Sequence, residues 1–248
     1  MASGEPNRMQ AAMNTLNAFR SRFWRWQELA REPGLTALLI IEGLLIFLVI
    51  PLSGMGLLPT YILPGMFILL VLATLVVTSR SHFAACLVLI AVVLSPAGAF
   101  VHAENPSLLT EWLSAGGRLL AIAALSLVIA KAVFGPGRVT FHRVQGAIVL
   151  YMNFALFFFI IYRLMEVLLP NAFKGLPQSG AEFGSGAAML YFSFSTLTTA
   201  GFGDIVPIHP LVRSFANLES VLGQLYPATL LARLVSLEIE HRRQSRSN

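Results

Sequence analysis

The residues whose types and spacing could support chemistry lie in one string, TLTTAGFGDIVP, at Thr196–Pro207. A Gly-X-Gly unit stands in its middle, with hydroxyl groups before it and a single acid, Asp204, after it. Gly201 and Gly203 can adopt positive φ, so that successive backbone carbonyls can point in one direction. Carbonyls arranged in this way, with the Thr199 hydroxyl at their inner end, can replace the hydration shell of a cation. The string therefore predicts a path for cations that is lined by the backbone.

No other set of polar residues has the spacing of an active site. Glu42, Asp204 and Glu219 are scattered along the chain, and no His–Cys or Ser–His grouping has a workable spacing. The one cysteine, Cys86, lies within an apolar run. We therefore predict that the protein is not an enzyme and that it has no cofactor.

The composition is that of a membrane protein. Hydrophobic residues make up 56% of the 248 positions and charged residues only 12%, whereas soluble domains carry about a quarter charged residues. The apolar residues form long runs, which are typical of an all-α membrane protein. Six of these runs are long enough to span a bilayer: Leu35–Pro51, Tyr61–Thr78, Phe83–Val101, Arg118–Phe134, Gln145–Leu169 and Leu211–Leu237.

The distribution of basic residues predicts the orientation of these spans. If the N-terminus is cytoplasmic, 13 of the 17 Lys and Arg residues fall on the cytoplasmic side, as the positive-inside rule requires. We expect a multi-pass protein of the plasma (cell inner) membrane, surrounded by lipid, with both termini cytoplasmic. The net charge of +5 then reflects topology, and no nucleic-acid partner is expected.

The Gly-X-Gly string lies between the fifth and sixth spans. A polar stretch rich in Gly and Pro, Pro170–Gly186, leads into an apolar segment, Ala187–Thr199. This segment is too short to cross the membrane and long enough for a half-helix. The residues that follow, with two glycines in three positions, are unlikely helix formers, and non-helical backbone at membrane depth is tolerated only inside protein or along a water-filled path. We predict a re-entrant pore helix whose partially negative C-terminal end favours a cation.

The string closely resembles the signature of potassium channels, Thr-Val/Ile-Gly-Tyr/Phe-Gly-Asp, which forms their selectivity filter. The resemblance covers about residues 145–237, the pore module of two helices. It implies a homotetramer in which four copies of Thr199–Gly203 form the filter. K⁺, the permeant ion, would bind at Thr199, Ala200, Gly201 and Phe202, and Asp204 would lie at the outer mouth.

The resemblance also implies roles for residues around the filter. Tyr191 and Phe192 correspond to an aromatic cuff, with Ser195 and Thr198 on the same pore helix as its support. Gly223 falls where the inner helix of such channels has its hinge glycine. Pro227, one turn further, lacks an amide donor and should kink the last helix, so both residues are candidates for a hinge or gate.

Three positions depart from the family pattern. Ala200 replaces the usual Val or Ile, Phe202 stands in place of Tyr, which is common in the family, and Ser195 stands where some channels carry a Glu that would brace Asp204. The smaller Ala200 leaves the filter wall less rigid. Two alternatives therefore stay open, a weakly selective monovalent cation channel and a non-conducting membrane scaffold or regulatory subunit.

The six-span plan resembles that of voltage-gated channels, but the fourth span has only Arg118 and Lys131, at its ends. Voltage sensing needs several charges in the membrane field, so we predict that the fourth span carries no gating charges.

The N-terminal segment either lies in the headgroup layer or simply flanks the first span, and the tail is too short for a fused ligand-binding domain. The predicted organisation has five parts: an amphipathic cytoplasmic segment (1–34), a four-helix scaffold (35–134), a linker (135–144), the pore module (145–237) and a tail (238–248).

Charged groups inside the spans need partners because an unpaired charge in the membrane is costly. For Glu42, deep in the first span, we expect a structural pair. At 1.5 Å per helical residue, Arg163 and Glu219 reach similar depths below the outer surface, which predicts an ion pair between them. Glu166, three residues from Arg163, is the competing partner.

Overall fold

The computed structural model describes residues 34–59, 107–134, 140–169, 171–177 and 182–247, together with positions 62, 66, 69, 70, 73 and 74. Several predicted features lie outside the described residues: the amphipathic segment, the third span, most of the second span and residues 135–139 of the linker.

Within these ranges, three helices are long and apolar enough to cross a membrane. They are α1 (Gly34–Gly54), α2 (Leu108–Phe134) and α3 (Phe141–Leu168). They correspond to the predicted first, fourth and fifth spans and confirm a largely helical membrane protein.

Helix α2 begins ten residues earlier than predicted, at Leu108 instead of Arg118. A reciprocal cap starts it: the Ser107 hydroxyl accepts from the Thr110 amide at 3.2 Å, and the Thr110 hydroxyl accepts from the Ser107 amide at 3.0 Å. Such a cap provides hydrogen-bond acceptors for backbone amides that have no partner at the start of a helix. The first two turns are too polar for a hydropathy run to include them.

Two further helices follow α3. Helix α4 (Glu182–Leu197) is short, with its apolar part at Gly186–Leu197, and ends two residues before the predicted Thr199. Helix α5 (Pro210–Ser247) starts with Pro at its first position, where no amide is needed, and the His209 ring accepts from the Leu211 amide at 3.3 Å. It contains the predicted sixth span but is less apolar than the three helices above, so its crossing of the membrane stays a prediction.

A two-stranded ladder was not predicted. Strand β1 (Phe173–Lys174) pairs antiparallel with β2 (Val206–Pro207), with Phe173 opposite Pro207. The Ile208 amide extends the ladder with a bond of 2.8 Å to the Ala172 carbonyl. Strands of two residues are too short to show a periodic pattern. The ladder ties the stretch after α3 to the chain that leaves the Gly-X-Gly string.

The described helices α1 and α2 pack on α3 and α4 of the same chain. α2 lies along α3, with Ala124, Leu125 and Ile129 in a buried cluster that also contains residues of α1 and α3. α1 reaches α4, where the rings of Phe47 and Phe194 lie 5.4 Å apart. Only six residues join α2 to α3, and connections of this length are typical of antiparallel neighbours.

Candidate functional site

The backbone of the Gly-X-Gly string has an alternating conformation. φ is positive at Thr199 (57°), Gly201 (54°) and Gly203 (80°), and it is not positive at Ala200 or Phe202 between them. Glycine adopts such values readily, but a β-branched residue with positive φ is an outlier that its surroundings must hold. When residues with positive and negative φ alternate, successive carbonyl oxygens can face the same side of the backbone. These oxygens and the Thr199 hydroxyl are the groups that could hold a cation.

Backbone bonds to α4 hold the start of the string. The Thr199 amide donates to the Thr196 carbonyl at 3.0 Å, and the Gly201 amide donates to the Ser195 carbonyl at 3.1 Å. The positive φ at Thr199 thus lies directly after the last turn of α4. Residues 198–204 are all exposed in the single chain.

The end of α4 is held by side chains of the two long helices beside it. The Leu197 carbonyl accepts from the Tyr151 hydroxyl of α3 at 3.2 Å, and the Thr196 carbonyl accepts from the Ser220 hydroxyl of α5 at 3.2 Å. Both carbonyls lie in the last turn, where the regular helical hydrogen bonds end; the Thr196 carbonyl also accepts from the Thr199 amide. The sequence analysis missed these residues, because single hydroxyls in apolar helices carry no pattern.

Gly223 lies where α5 touches the end of α4. A Cβ atom at this position would be 1.8 Å from the Leu197 carbonyl oxygen and 2.8 Å from its carbon. The residue is buried and lies inside the continuous helix α5. Close backbone approach accounts for a glycine here, and its predicted role as a hinge stays a prediction.

Pro227 lies one turn after Gly223, and α5 continues through it to Ser247. Because proline has no amide hydrogen, the Gly223 carbonyl lacks its usual donor four residues on. The predicted gate at this position remains a prediction. Further along, Arg233 donates to the Phe134 carbonyl at the end of α2 at 3.0 Å and lies over the Phe134 ring.

The two residues assigned to an aromatic cuff have different surroundings. The Tyr191 ring stacks on Phe202 with centroids 5.8 Å apart and planes within 11°, so Phe202 packs against α4. Tyr191 also lies close enough to Asp204 to interact with its carboxylate. Phe192 is buried, with edge contacts to Tyr162 at 5.1 Å and to Phe173 at 5.4 Å.

The residues predicted to support the pore helix bond within it. The Ser195 hydroxyl donates to the Phe192 carbonyl at 3.0 Å, and the Thr198 hydroxyl donates to the Phe194 carbonyl at 2.7 Å. The serine that links α4 to its neighbours is instead Ser193, which the sequence analysis did not single out. It is fully buried, and its oxygen lies 2.8 Å from the Ala155 carbonyl of α3.

The predicted ion pair between Arg163 and Glu219 is wrong. Arg163 bonds to Glu166 at 2.9 Å, the competing partner named above. Glu219 is fully buried; one of its carboxyl oxygens accepts from the Tyr162 hydroxyl at 2.6 Å, and the other lies 2.5 Å from the Ser193 hydroxyl oxygen. Adjacent residues on a helix point about 100° apart, so α3 turns Arg163 away when Tyr162 faces the core. Depth along the helices predicted that Arg163 and Glu219 lie at a similar level, but it does not determine which way each side chain points.

The expected partner of Glu42 is not found among the described residues. Glu42 is fully buried, and neither carboxylate oxygen has a hydrogen bond within the part of the chain that the structure describes. Asn153 on α3 has the same property, with its amide oxygen and nitrogen both unsatisfied there. The structural pair expected for Glu42 therefore stays a prediction.

One comparison with known protein families concerns this region of the chain. Residues 146–239, which run from α3 into α5, match the model of a protein family described as ion channels. No curated protein and no solved structure matches the chain. The match supports an ion-channel family of the pore-loop type, whose members are membrane transport proteins that typically form oligomers.

Proposed function

We propose that this chain, whose pore region matches ion channels, forms a homotetrameric potassium channel of the plasma membrane. K⁺ would pass through four copies of Thr199–Gly203, with both termini cytoplasmic and lipid around α1 and α2. The observation that carries the proposal is the alternating φ of this string directly after the short apolar helix α4. Carbonyl oxygens on one side of such a backbone are suited to replace the water around a cation.

The need for further copies follows from the exposure of the string. In the proposed filter one chain would supply oxygens from one side only, whereas a cation in a filter needs oxygens around it. Helix α5 carries an exposed apolar stripe at helical spacing, which contact between copies would bury. The stripe consists of Leu211, Leu218, Val221 and Leu225, each at least half exposed in the single chain.

Selectivity for K⁺ is supported by the match of TAGFGD to the potassium-channel signature and by the stacking of Phe202 on Tyr191. One observation favours a weakly selective cation channel instead. The Ala200 side chain is small and exposed, and 69% of the Phe202 surface is accessible. In a single chain, the wall of the filter is therefore packed on one side only.

Reversal potentials test the proposal. The purified protein is placed in bilayers with K⁺ on one side and Na⁺ on the other. We expect the reversal potential to follow the K⁺ gradient, and Gly201→Val to abolish the current because valine disfavours positive φ. Gly116→Ala is the matched control, because a Cβ at Gly116 meets nothing within 4 Å.

Each contrary result favours one of the alternatives. A reversal potential that treats both ions alike identifies a weakly selective channel. A protein that is monomeric in lipid and passes no current identifies a scaffold or regulatory subunit. Undiminished current in Gly201→Val refutes the assignment of the filter.

A further inference from the structure

We infer that Gln224 is a positioning residue for the innermost cation site: its side-chain amide fixes the Thr199 hydroxyl so that one oxygen lone pair is left for the permeating ion. The inference rests on the proposed function and adds to it a residue outside the Gly-X-Gly string. Gln224 lies on α5, 25 positions after Thr199, and its Nε2 lies 2.7 Å from Thr199 Oγ1.

The number of hydrogens on each group determines which group donates in this bond. The Thr199 hydroxyl has one hydrogen and two lone pairs. Its oxygen lies 2.7 Å from the Thr198 carbonyl, which can only accept, so the single hydrogen goes there. The contact with Gln224 must then be donated by the amide nitrogen. One lone pair of the Thr199 oxygen is occupied by this bond, and one remains.

The conformation of Thr199 explains why the hydroxyl needs a second anchor. Its positive φ of 57° is costly for a β-branched residue and persists only where neighbours over-determine it. The backbone bond to Thr196 is one such contact, and the Gln224 amide is another. Without the amide, the hydroxyl keeps its bond to Thr198 but loses its only described contact with α5.

The packing of α5 brings the amide to this position. Gly223, the preceding residue, allows the α5 backbone to lie against the Leu197 carbonyl. Ser220, one turn earlier, bonds to the Thr196 carbonyl. The base of the Gln224 side chain is therefore anchored beside the end of α4, which limits the freedom of its amide.

The test is a double-mutant cycle read out as the K⁺ over Na⁺ permeability ratio of the full-length protein in bilayers. Gln224→Met keeps a side chain of similar length and good helix propensity but removes the donor. We expect it to change the ratio by roughly twofold to tenfold, the equivalent of one net hydrogen bond. In a Thr199→Val background, which lacks the hydroxyl, Gln224→Met should have no further effect.

Thr229→Val is the matched control. Thr229 is an exposed residue of the same helix whose hydroxyl bonds only to carbonyls of α5, at Leu225 and Tyr226. It should leave the ratio unchanged. A change in Gln224→Met of the same size with and without the Thr199 hydroxyl would show that Gln224 acts elsewhere, and would overturn the inference.

If the Gln224→Met protein does not assemble, Gln224→Glu is the second variant that tests the inference. A carboxylate of the same length cannot donate, so the ratio should change at neutral pH. A protonated carboxyl can donate again, so the ratio should return toward the wild-type value near pH 4, about the ordinary pKa of Glu. A merely structural role of the side chain would show no such reversal, and a ratio equal to the wild type at both pH values overturns the inference.

The outcomes separate this inference from the proposed function. If the wild type passes cations and both Gln224 variants leave the ratio unchanged, the inference alone fails. If the wild type passes no cation at all, the proposed function fails and takes the role of Gln224 with it.

Discussion

The substitution Gly223→Ala distinguishes a contact glycine from a hinge glycine. A new Cβ would lie 1.8 Å from the Leu197 oxygen, whereas ordinary van der Waals contact begins at about 3.4 Å. Helix α5 or the end of α4 must therefore move by more than 1 Å. The atom in the way is backbone, which cannot swing aside as the end of a side chain can.

The cost can be estimated from three effects. Overpacking of a buried contact costs up to about 3 kcal/mol. The displaced Leu197 carbonyl also loses its bond from Tyr151, worth about 1 kcal/mol. Alanine returns about 1 kcal/mol through its higher helix propensity. We expect a net loss of about 3 kcal/mol, which lowers the thermal midpoint by roughly 6–12 °C for a chain of this length.

The assay is thermal unfolding of the purified protein, followed by size-exclusion chromatography and by the intensity of tryptophan fluorescence. Gly116→Ala is the control with the opposite expected sign. Gly116 lies within α2 and has open space around a new Cβ, so alanine should stabilise the helix by about 1 kcal/mol. If Gly223→Ala keeps the wild-type midpoint and alters only the open probability of the channel, the contact argument is refuted and the hinge interpretation is favoured.

Substitutions at three further positions have defined outcomes. Glu219→Ala leaves the buried Tyr162 hydroxyl without its acceptor, removes the contact with Ser193 and opens a cavity, so it should destabilise the protein by about 2–4 kcal/mol. Glu219→Gln keeps an acceptor for Tyr162 and should cost about 1 kcal/mol. Chemical denaturation measures both. Gly175→Ala should reduce conductance, because Gly175 has φ +89° and a Cβ there would lie 1.9 Å from the Asp204 carbonyl oxygen. Ala200→Val should raise the K⁺ over Na⁺ permeability ratio in bilayers by packing the filter wall more fully.

Contrary results would be informative in each case. Equal losses in the two Glu219 variants would mean that the hydroxyl bonds contribute little to stability. Normal conductance in Gly175→Ala would mean that the loop before β2 moves aside without affecting the outer mouth. An unchanged ratio in Ala200→Val would indicate that neighbouring copies already support Ala200.

Composition and local backbone freedom were sufficient to predict a membrane protein and to place its candidate site. Long apolar runs predicted α1, α2 and α3 because transfer into a bilayer depends on each segment's own hydropathy. The short apolar segment followed by Gly-X-Gly predicted a helix end and a non-helical string, because glycine tolerates positive φ wherever it occurs. These properties need no knowledge of neighbouring elements.

Only the tertiary structure decided which side chains meet. Glu219 bonds to residues 57 and 26 positions away, and Gln224 reaches Thr199 across 25 positions. Helix depth alone suggested Arg163 for Glu219, but the rotation of α3 turned Tyr162 to the core instead. Gly223 and Gly175 are required by close backbone contacts between elements, not by local turns alone. Such contacts depend on the rotation and spacing of whole helices, and these are set by packing against other elements, which no local stretch of sequence encodes.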